Sequence, residues 1–307
     1  MTEHKISLRG PAARGAVVAA AVLRDLLDVV LQGCQQAVRL RFEGRSSARG
    51  QPPAWLDQAA AFDLTEIRKG STQVVVQTQP LRSAAPDQFA QIDMFDELGS
   101  DESGFDLFVR GLGDAAANDT NSDHFDAGLL RTYGRLERVF RRGFEEIEFD
   151  GASKLVIDTE RMSAIGKLKA TVPAPRQVRV AGKLEQIKHS DRRFTLLMEE
   201  GTLKGVADDA IAPEELAEHF GRLVVVSGEA VFRPNGGLQR VEAKHLEPAG
   251  EAASIWSRIP RPLLGDPTSA EKYRVAQGPR SGLAAIIGKW PGEETDDEIA
   301  AALEQIS

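Results

Sequence analysis

Lys5-Ile6-Ser7-Leu8-Arg9 alternates polar and apolar residues at the period of a half-buried strand, and Gly10-Pro11 breaks it. Beyond the break the period changes. Val18, Val22, Leu26, Val29, Val30, Gly33 and Ala37 recur at steps of one, three and four, which predicts an amphipathic helix over roughly 12–40 with a wide buried face. After a Ser/Gly/Pro-rich loop at 45–53, the pattern returns to period two. Phe62, Leu64 and Glu66 face one way, Asp63, Thr65 and Ile67 the other; Lys69-Gly70 forms a turn and Thr72 to Gln79 a second strand.

The segment 87–126 is rich in Asp and Glu, with Arg110 as its only base, and carries helical patches at Phe89–Leu98 and Phe105–Ala117. A helix near 125–142 follows. On one continuous helix Arg131, Arg135, Arg138 and Arg142 share a face. That stripe reads either as a solvated face paired with the acidic segment before it or as a contact for RNA or DNA. Glu146–Phe149 and Lys154–Asp158 read as short strands, and Thr159 as the cap of a helix through Lys169. Thr171-Val172-Pro173-Ala174-Pro175 is a stiff linker and the main boundary.

Residues 177–248 alternate through three strands, a helix opening near Pro213, and two more strands joined by the turn Pro234-Asn235-Gly236-Gly237. That order resembles an OB-fold, a five-stranded Greek-key barrel. Such barrels often bind oligonucleotides through basic and aromatic residues on strands two and three. Here these strands offer Arg192, Arg193, Phe194 and Lys204, but also Glu199, Glu200, Asp208 and Asp209. One aromatic is too few for a stacking platform, so a structural or protein-binding barrel is expected ahead of a nucleic-acid-binding one. The expected fold class is α+β. A mixed helical and antiparallel N-terminal domain (1–170) leads to an OB-like barrel (177–248), a linker (249–280) and an extended helical tail (281–307).

A length of 307 residues suits two domains, and 42% apolar with 27% charged residues is ordinary globular usage. Aromatics at 6% predict an aliphatic core. A net charge of −8 argues against general affinity for nucleic acid or anionic membranes, leaving only a local basic face. Cys34 is the one cysteine, so no intramolecular disulfide and no cysteine-built zinc site can form. No apolar run reaches the ~18 residues of a membrane span, and Met1-Thr2-Glu3-His4-Lys5 opens no signal-peptide core, so no membrane association and a cytoplasmic location are expected. His4, His124, His189, His219 and His245 lack metal-ligand spacing, and no G-x-S-x-G, Walker or dinucleotide loop occurs. Asp123-His124 with Asp126 reads as an acidic helix start or as a metal cluster. No enzyme and no cofactor are expected.

The tail carries a different signal. Thr295-x-x-Glu298 is a capping box, and Ile299, Leu303 and Ile306 form one apolar stripe on a helix too short to persist alone. Trp290 precedes the turn Pro291-Gly292, the form of a helix-in-groove peptide with an aromatic anchor. Docking on the chain's own domains is the other reading. Gly288-Lys289-Trp290-Pro291-Gly292-Glu293-Glu294-Thr295-Asp296-Asp297-Glu298 resembles the C-terminal segment of antitoxin-side proteins paired in bacterial operons with PIN-domain ribonuclease toxins, departing at Glu293, where the family has aspartate. The resemblance implies a tail that wraps a toxin and covers its acidic, metal-dependent site. Ile286, Ile287, Trp290, Ile299 and Leu303 would be anchors, and Arg280 or Lys289 the base offered to the toxin's carboxylates.

Overall fold

The computed structural model describes residues 1–68, 72–90, 101–151, 153–188, 192–263 and Thr295. Met1–Pro262 forms one compact unit; Leu263–Ser307 is a second, of which Leu263 and Thr295 are described. The architecture is mixed α+β with a closed five-stranded barrel.

The N-terminal half holds an antiparallel sheet of five strands in the order β2-β3-β1-β4-β5: β1 (Thr2–Arg9), β2 (Phe62–Arg68), β3 (Thr72–Thr78), β4 (Glu146–Asp150) and β5 (Lys154–Asp158). Register puts Val74, Ile6 and Phe149 in one row across β3, β1 and β4. These alternate positions point at the helices and are fully buried. On the other face Arg9 reaches Glu146 at 2.7 Å and Glu148 at 2.8 Å.

Against the inner face pack α1 (Ala20–Glu43), α2 (Ala54–Ala60), α5 (Gly104–Ala116), α6 (Ala127–Gly134), α7 (Glu137–Phe140) and α8 (Thr159–Thr171); α3 (Leu81–Ala84) and α4 (Pro86–Ala90) are short links after β3. Leu26, Val30 and Cys34 of α1 join Phe108 and Leu112 of α5, Tyr133 of α6 and the sheet row in a single core.

Several elements differ from the sequence reading. The long helix starts at Ala20 rather than near 12, because Gly15 holds a left-handed φ of 66° and Ala19 is extended. A bulge between Leu64 and Glu66 breaks the two-face alternation of β2. Asp158, not Thr159, caps α8, accepting the Arg161 N–H at 2.8 Å. The helix expected over 125–142 is two helices. Between them Arg135, Leu136, Arg138 and Val139 donate to carbonyls three residues back, a tighter winding that turns Leu136 and Val139 into the core.

The barrel comprises β6 (Arg176–Lys188), β7 (Arg193–Met198), β8 (Gly201–Ala207), α9 (Pro213–Glu218), β9 (Leu223–Phe232) and β10 (Leu238–Pro248). The first strand pairs with both the second and the fourth, and the third closes the ring by a parallel pairing with the fifth. Val180, Leu196, Val226, Val241 and Phe194 fill it. The stretch expected to begin a linker is partly built: a 3-10 turn, Glu251–Trp256, lays Ala253 on Ala181 and Val225 of the outer wall, and Arg179 stands 4.7 Å over the Trp256 ring. The cores of the two halves are separate; among the described residues no apolar cluster contains residues of both.

Candidate functional site

Polar contacts gather where the two halves meet. The loop between α5 and α6 lies on the barrel, and in five contacts the barrel donates and the loop accepts. Lys204 Nζ of β8 reaches Asp123 Oδ2 at 3.3 Å, and Arg233 Nη2 holds the other oxygen of the same carboxylate. Asn235 Nδ2, in the β9–β10 hairpin, donates to Asn121 Oδ1 at 2.5 Å. Gln239 Nε2 donates to the Phe125 carbonyl at 2.9 Å, and Arg240 Nη2 to Asp126 Oδ2 at 3.1 Å. Beside this loop the end of α1 also approaches the barrel: Gly44 lies against Arg193 and Val206, and Arg45 stands 3.9 Å from Asp209.

Asp126 is the centre of the join. It caps α6 by accepting from Gly128 N at 2.9 Å and Leu129 N at 3.2 Å, and it takes the Ser46 hydroxyl at 2.5 Å. Burial pushes its carboxyl up, but the Arg240 charge and these hydrogen bonds outweigh that and hold it below the ordinary carboxylate value. Asp123 behaves likewise: burial raises it, and the Arg233 hydrogen bond with the charges of Lys204 and Arg233 lowers it further than burial lifts it. Glu43 goes the other way, since burial raises it more than Arg39 and Arg45 lower it. The donors are not fully used. Arg240 Nη1 and Arg233 Nε are buried without an acceptor.

A second polar knot lies inside the N-terminal core. His4 is 1% exposed, stacks on Phe105, and has Nε2 2.8 Å from Thr78 Oγ1 and 3.4 Å from Ser103 Oγ. Ser103 donates to Asp106 Oδ2 at 2.7 Å, and Asp106 in turn accepts the Ser103 N–H at 2.9 Å. Serine, histidine and aspartate are thus together, but Ser103 and Asp106 form the capping box of α5. The hydroxyl proton points at the carboxylate, not at the imidazole, and all three side chains are buried, so a nucleophile activated by its base is not what this geometry builds. Burial lowers His4 below its ordinary value, with Asp106 and Asp150 partly offsetting. Cys34 sits deeper in the same core, and burial pushes its thiol up.

Arg280, Ile286, Ile287, Lys289, Trp290, Ile299 and Leu303 lie outside the described residues. The helix break divides the arginine stripe: Arg131 is exposed on α6, Arg135 ends it and donates to Gln32 of α1, and Arg138 and Arg142 are exposed in and after α7. The acidic segment does not pair with these arginines among the described residues. Asp114 holds His124 at 2.7 Å and Ser122 at 2.7 Å, while Asp123 and Asp126 reach the barrel. On barrel strands two and three Phe194 is buried inside, Arg192 pairs with Asp209 at 3.1 Å, and Lys204 is taken by Asp123.

Among the described residues no group of three or more His, Cys, Asp or Glu could hold a metal ion, and no helix is long and apolar enough to cross a membrane. Asn121, Arg233, Asn235, Gln239 and Arg240 are the site residues that sequence reasoning missed; their partners lie about 110 positions away along the chain, beyond the reach of any local pattern. No protein-family model, no curated protein and no solved structure matches the chain.

Proposed function

We propose that the chain is an antitoxin-like binding protein whose tail, 281–307, neutralises a PIN-type ribonuclease, with the compact unit before it serving as scaffold. The observation that carries this reading is the sequence Gly288–Glu298, with Trp290 ahead of the capping-box pattern Thr295-x-x-Glu298 and the apolar spacing of Ile299, Leu303 and Ile306. Two features of the scaffold agree with it. The charged cluster at the join is spent on contacts within the chain. The Ser103, His4 and Asp106 side chains are committed to a helix cap and a buried knot.

The barrel is read as OB-like, from its order of three strands, helix and two strands and the parallel closure of third on fifth. The other reading, a nucleic-acid-sensing module built on this barrel and on Arg131, Arg135, Arg138 and Arg142, loses weight. The one aromatic of barrel strands two and three, Phe194, is core, and the arginines span a helix break.

Co-purification with the product of the adjacent reading frame tests the proposal, using the full chain and a chain ending at Gln277. Retention of the partner and suppression of its ribonuclease activity by the full chain alone supports it. Retention by both moves recognition to the scaffold. Retention by neither removes it.

A further inference from the structure

The chain has three asparagines, and two of them, Asn121 and Asn235, meet across the join. Only Asn235 is followed by glycine; Asp119 follows Asn118 and Ser122 follows Asn121. Asn235 is exposed in the β9–β10 hairpin turn, where Gly236 holds a left-handed φ of 83°. Gly237 N–H donates to Asn235 Oδ1 at 2.8 Å, which folds the side-chain amide back over the Gly236 peptide. A Cβ on Gly237 would stand 3.1 Å from that same oxygen. The turn therefore holds the parts of an intramolecular acyl transfer. The Gly236 nitrogen is the nucleophile, with no Cβ beside it to shield it. Asn235 Cγ is the electrophile. Gly237 N–H already sits at oxyanion-donor distance from the oxygen on which charge develops. Two hydrogen bonds restrain the reaction. Gly236 N–H donates to the Arg233 carbonyl at 2.9 Å, and Asn235 Nδ2 donates to Asn121 Oδ1 at 2.5 Å. Both must loosen before Cγ and the nitrogen meet, and both lie in exposed turns where local opening costs least.

We infer that Asn235-Gly236 is a self-modifying site: Asn235 deamidates through a succinimide, the Asn121 contact sets the rate, and the product loosens the join. The Gly236 nitrogen forms a bond to Asn235 Cγ and gives up its proton. The Cγ–Nδ2 bond breaks, and the amide nitrogen leaves with that proton as ammonia. Water then opens the ring at either carbonyl, with no change of oxidation state. One opening gives aspartate. The other gives isoaspartate, in which the main chain runs through the side-chain carboxyl. Asn235 is exposed, so water reaches the ring. Either product lacks the Nδ2 donor that Asn121 accepts from. Either also carries a new carboxylate in the turn that holds Arg233, where it competes with Asp123 for that guanidinium. Isoaspartate adds a methylene to the main chain between β9 and β10 and so displaces the turn from Asn121 as well. This concerns the scaffold, and its failure leaves the reading of the tail untouched.

The test incubates the folded full chain for days at mildly alkaline pH. Each asparagine peptide is followed by mass spectrometry, with isoaspartate separated from aspartate by chromatography. Conversion should be confined to Asn235, with Asn118 and Asn121 unchanged, and isoaspartate should appear among the products. Asn121→Ala, in an exposed loop, removes one hydrogen bond that restrains the amide and should speed conversion about threefold to tenfold. Hydrogen exchange over 119–126 should be faster in the aged chain than in the fresh one. It should not change on ageing in Asn235→Gln, whose longer side chain does not close the same ring. No conversion at Asn235, or equal conversion at all three asparagines, overturns the inference, because the turn then supplies nothing. An unchanged rate in Asn121→Ala overturns it too, because the join then does not govern the site. Conversion without faster exchange over 119–126 also overturns it, because the product then leaves the join as it was.

Discussion

Asp126 and Arg240 stand 3.1 Å apart with both side chains nearly buried, and they tie the head of α6 to the last strand of the barrel. Arg240→Met keeps much of the volume and removes the charge. Asp126 then remains buried with Ser46 and two backbone N–H groups, which softens the loss without cancelling it. Breaking a buried pair in this way should cost about 3 kcal/mol, seen as a lower urea midpoint. The pH dependence follows from the sign of the shift. The folded carboxyl of Asp126 lies below its ordinary value of 3.8, so its contribution is whole above that value and is lost as pH falls through the lowered one. Arg240→Met should therefore lose less stability than the unaltered chain between about pH 5 and about pH 3. An unchanged midpoint would mean that the pair contributes no net stability.

His4 governs a different range. Its folded value lies below 6.5 because the ring is buried, so the unfolded chain takes a proton that the folded chain refuses. Stability is whole above pH 6.5 and is lost as pH falls toward the lowered folded value, at up to ~1.4 kcal/mol per pH unit. The negative charges of Asp106 and Asp150 partly offset the burial and reduce the slope. His4→Gln should cost stability at about pH 7.5 and flatten the profile between there and about pH 5.5, measured by urea unfolding at each pH. A slope that survives the substitution belongs to other groups.

What the sequence makes legible is what short-range periodicity encodes. Ile6 and Leu8 announce β1, Val22 to Ala37 announce the buried face of α1, and the strand–helix–strand order of 177–248 announces the closed barrel. Two kinds of feature escape it. The break at Leu136 keeps the arginines at helical spacing while the winding changes beneath them, so their positions alone do not reveal it. The join is non-local: Asp126 and Arg240 are 114 residues apart, and the nearest arginine-rich segment to the acidic loop is the wrong partner. Proximity along the chain points to the arginines of α6 and α7; folding places Lys204, Arg233 and Arg240 over the loop instead.

Gly33 reports on how closely α1 and α5 pack. A Cβ there would lie 2.3 Å from the Phe108 ring, which is fully buried and contacts Tyr133 and Phe149. Helix propensity favours alanine over glycine by roughly 1 kcal/mol, but overpacking a closed core costs about 1–3 kcal/mol. The ring is fully buried against Tyr133 and Phe149, so the steric cost should win. Gly33→Ala should lower stability by about 1–2 kcal/mol in thermal or urea unfolding, whereas Gly166→Ala, with nothing near its Cβ, should be neutral or stabilising. A stabilised Gly33→Ala would mean that α1 and α5 shift apart at little cost.

Trp290 gives the tail reading a quantitative test apart from truncation. If the tail lies in a groove of a ribonuclease partner, Trp290 is the side chain with the most area to bury. Trp290→Ala should then weaken binding by about 2–4 kcal/mol, roughly 30-fold to several hundred-fold in Kd by calorimetry with the purified partner. Lys289→Ala separates inhibition from anchoring. If its amine meets the partner's acidic site, ribonuclease activity should return by more than the loss of affinity accounts for. Arg280→Ala should do so only if the base comes from the other side of the anchor. Binding that survives Trp290→Ala undiminished would place the anchor elsewhere. An unchanged melting temperature of the free chain on the same substitution would show that Trp290 does not brace the scaffold, and a fall in it would make the tail an internal strut.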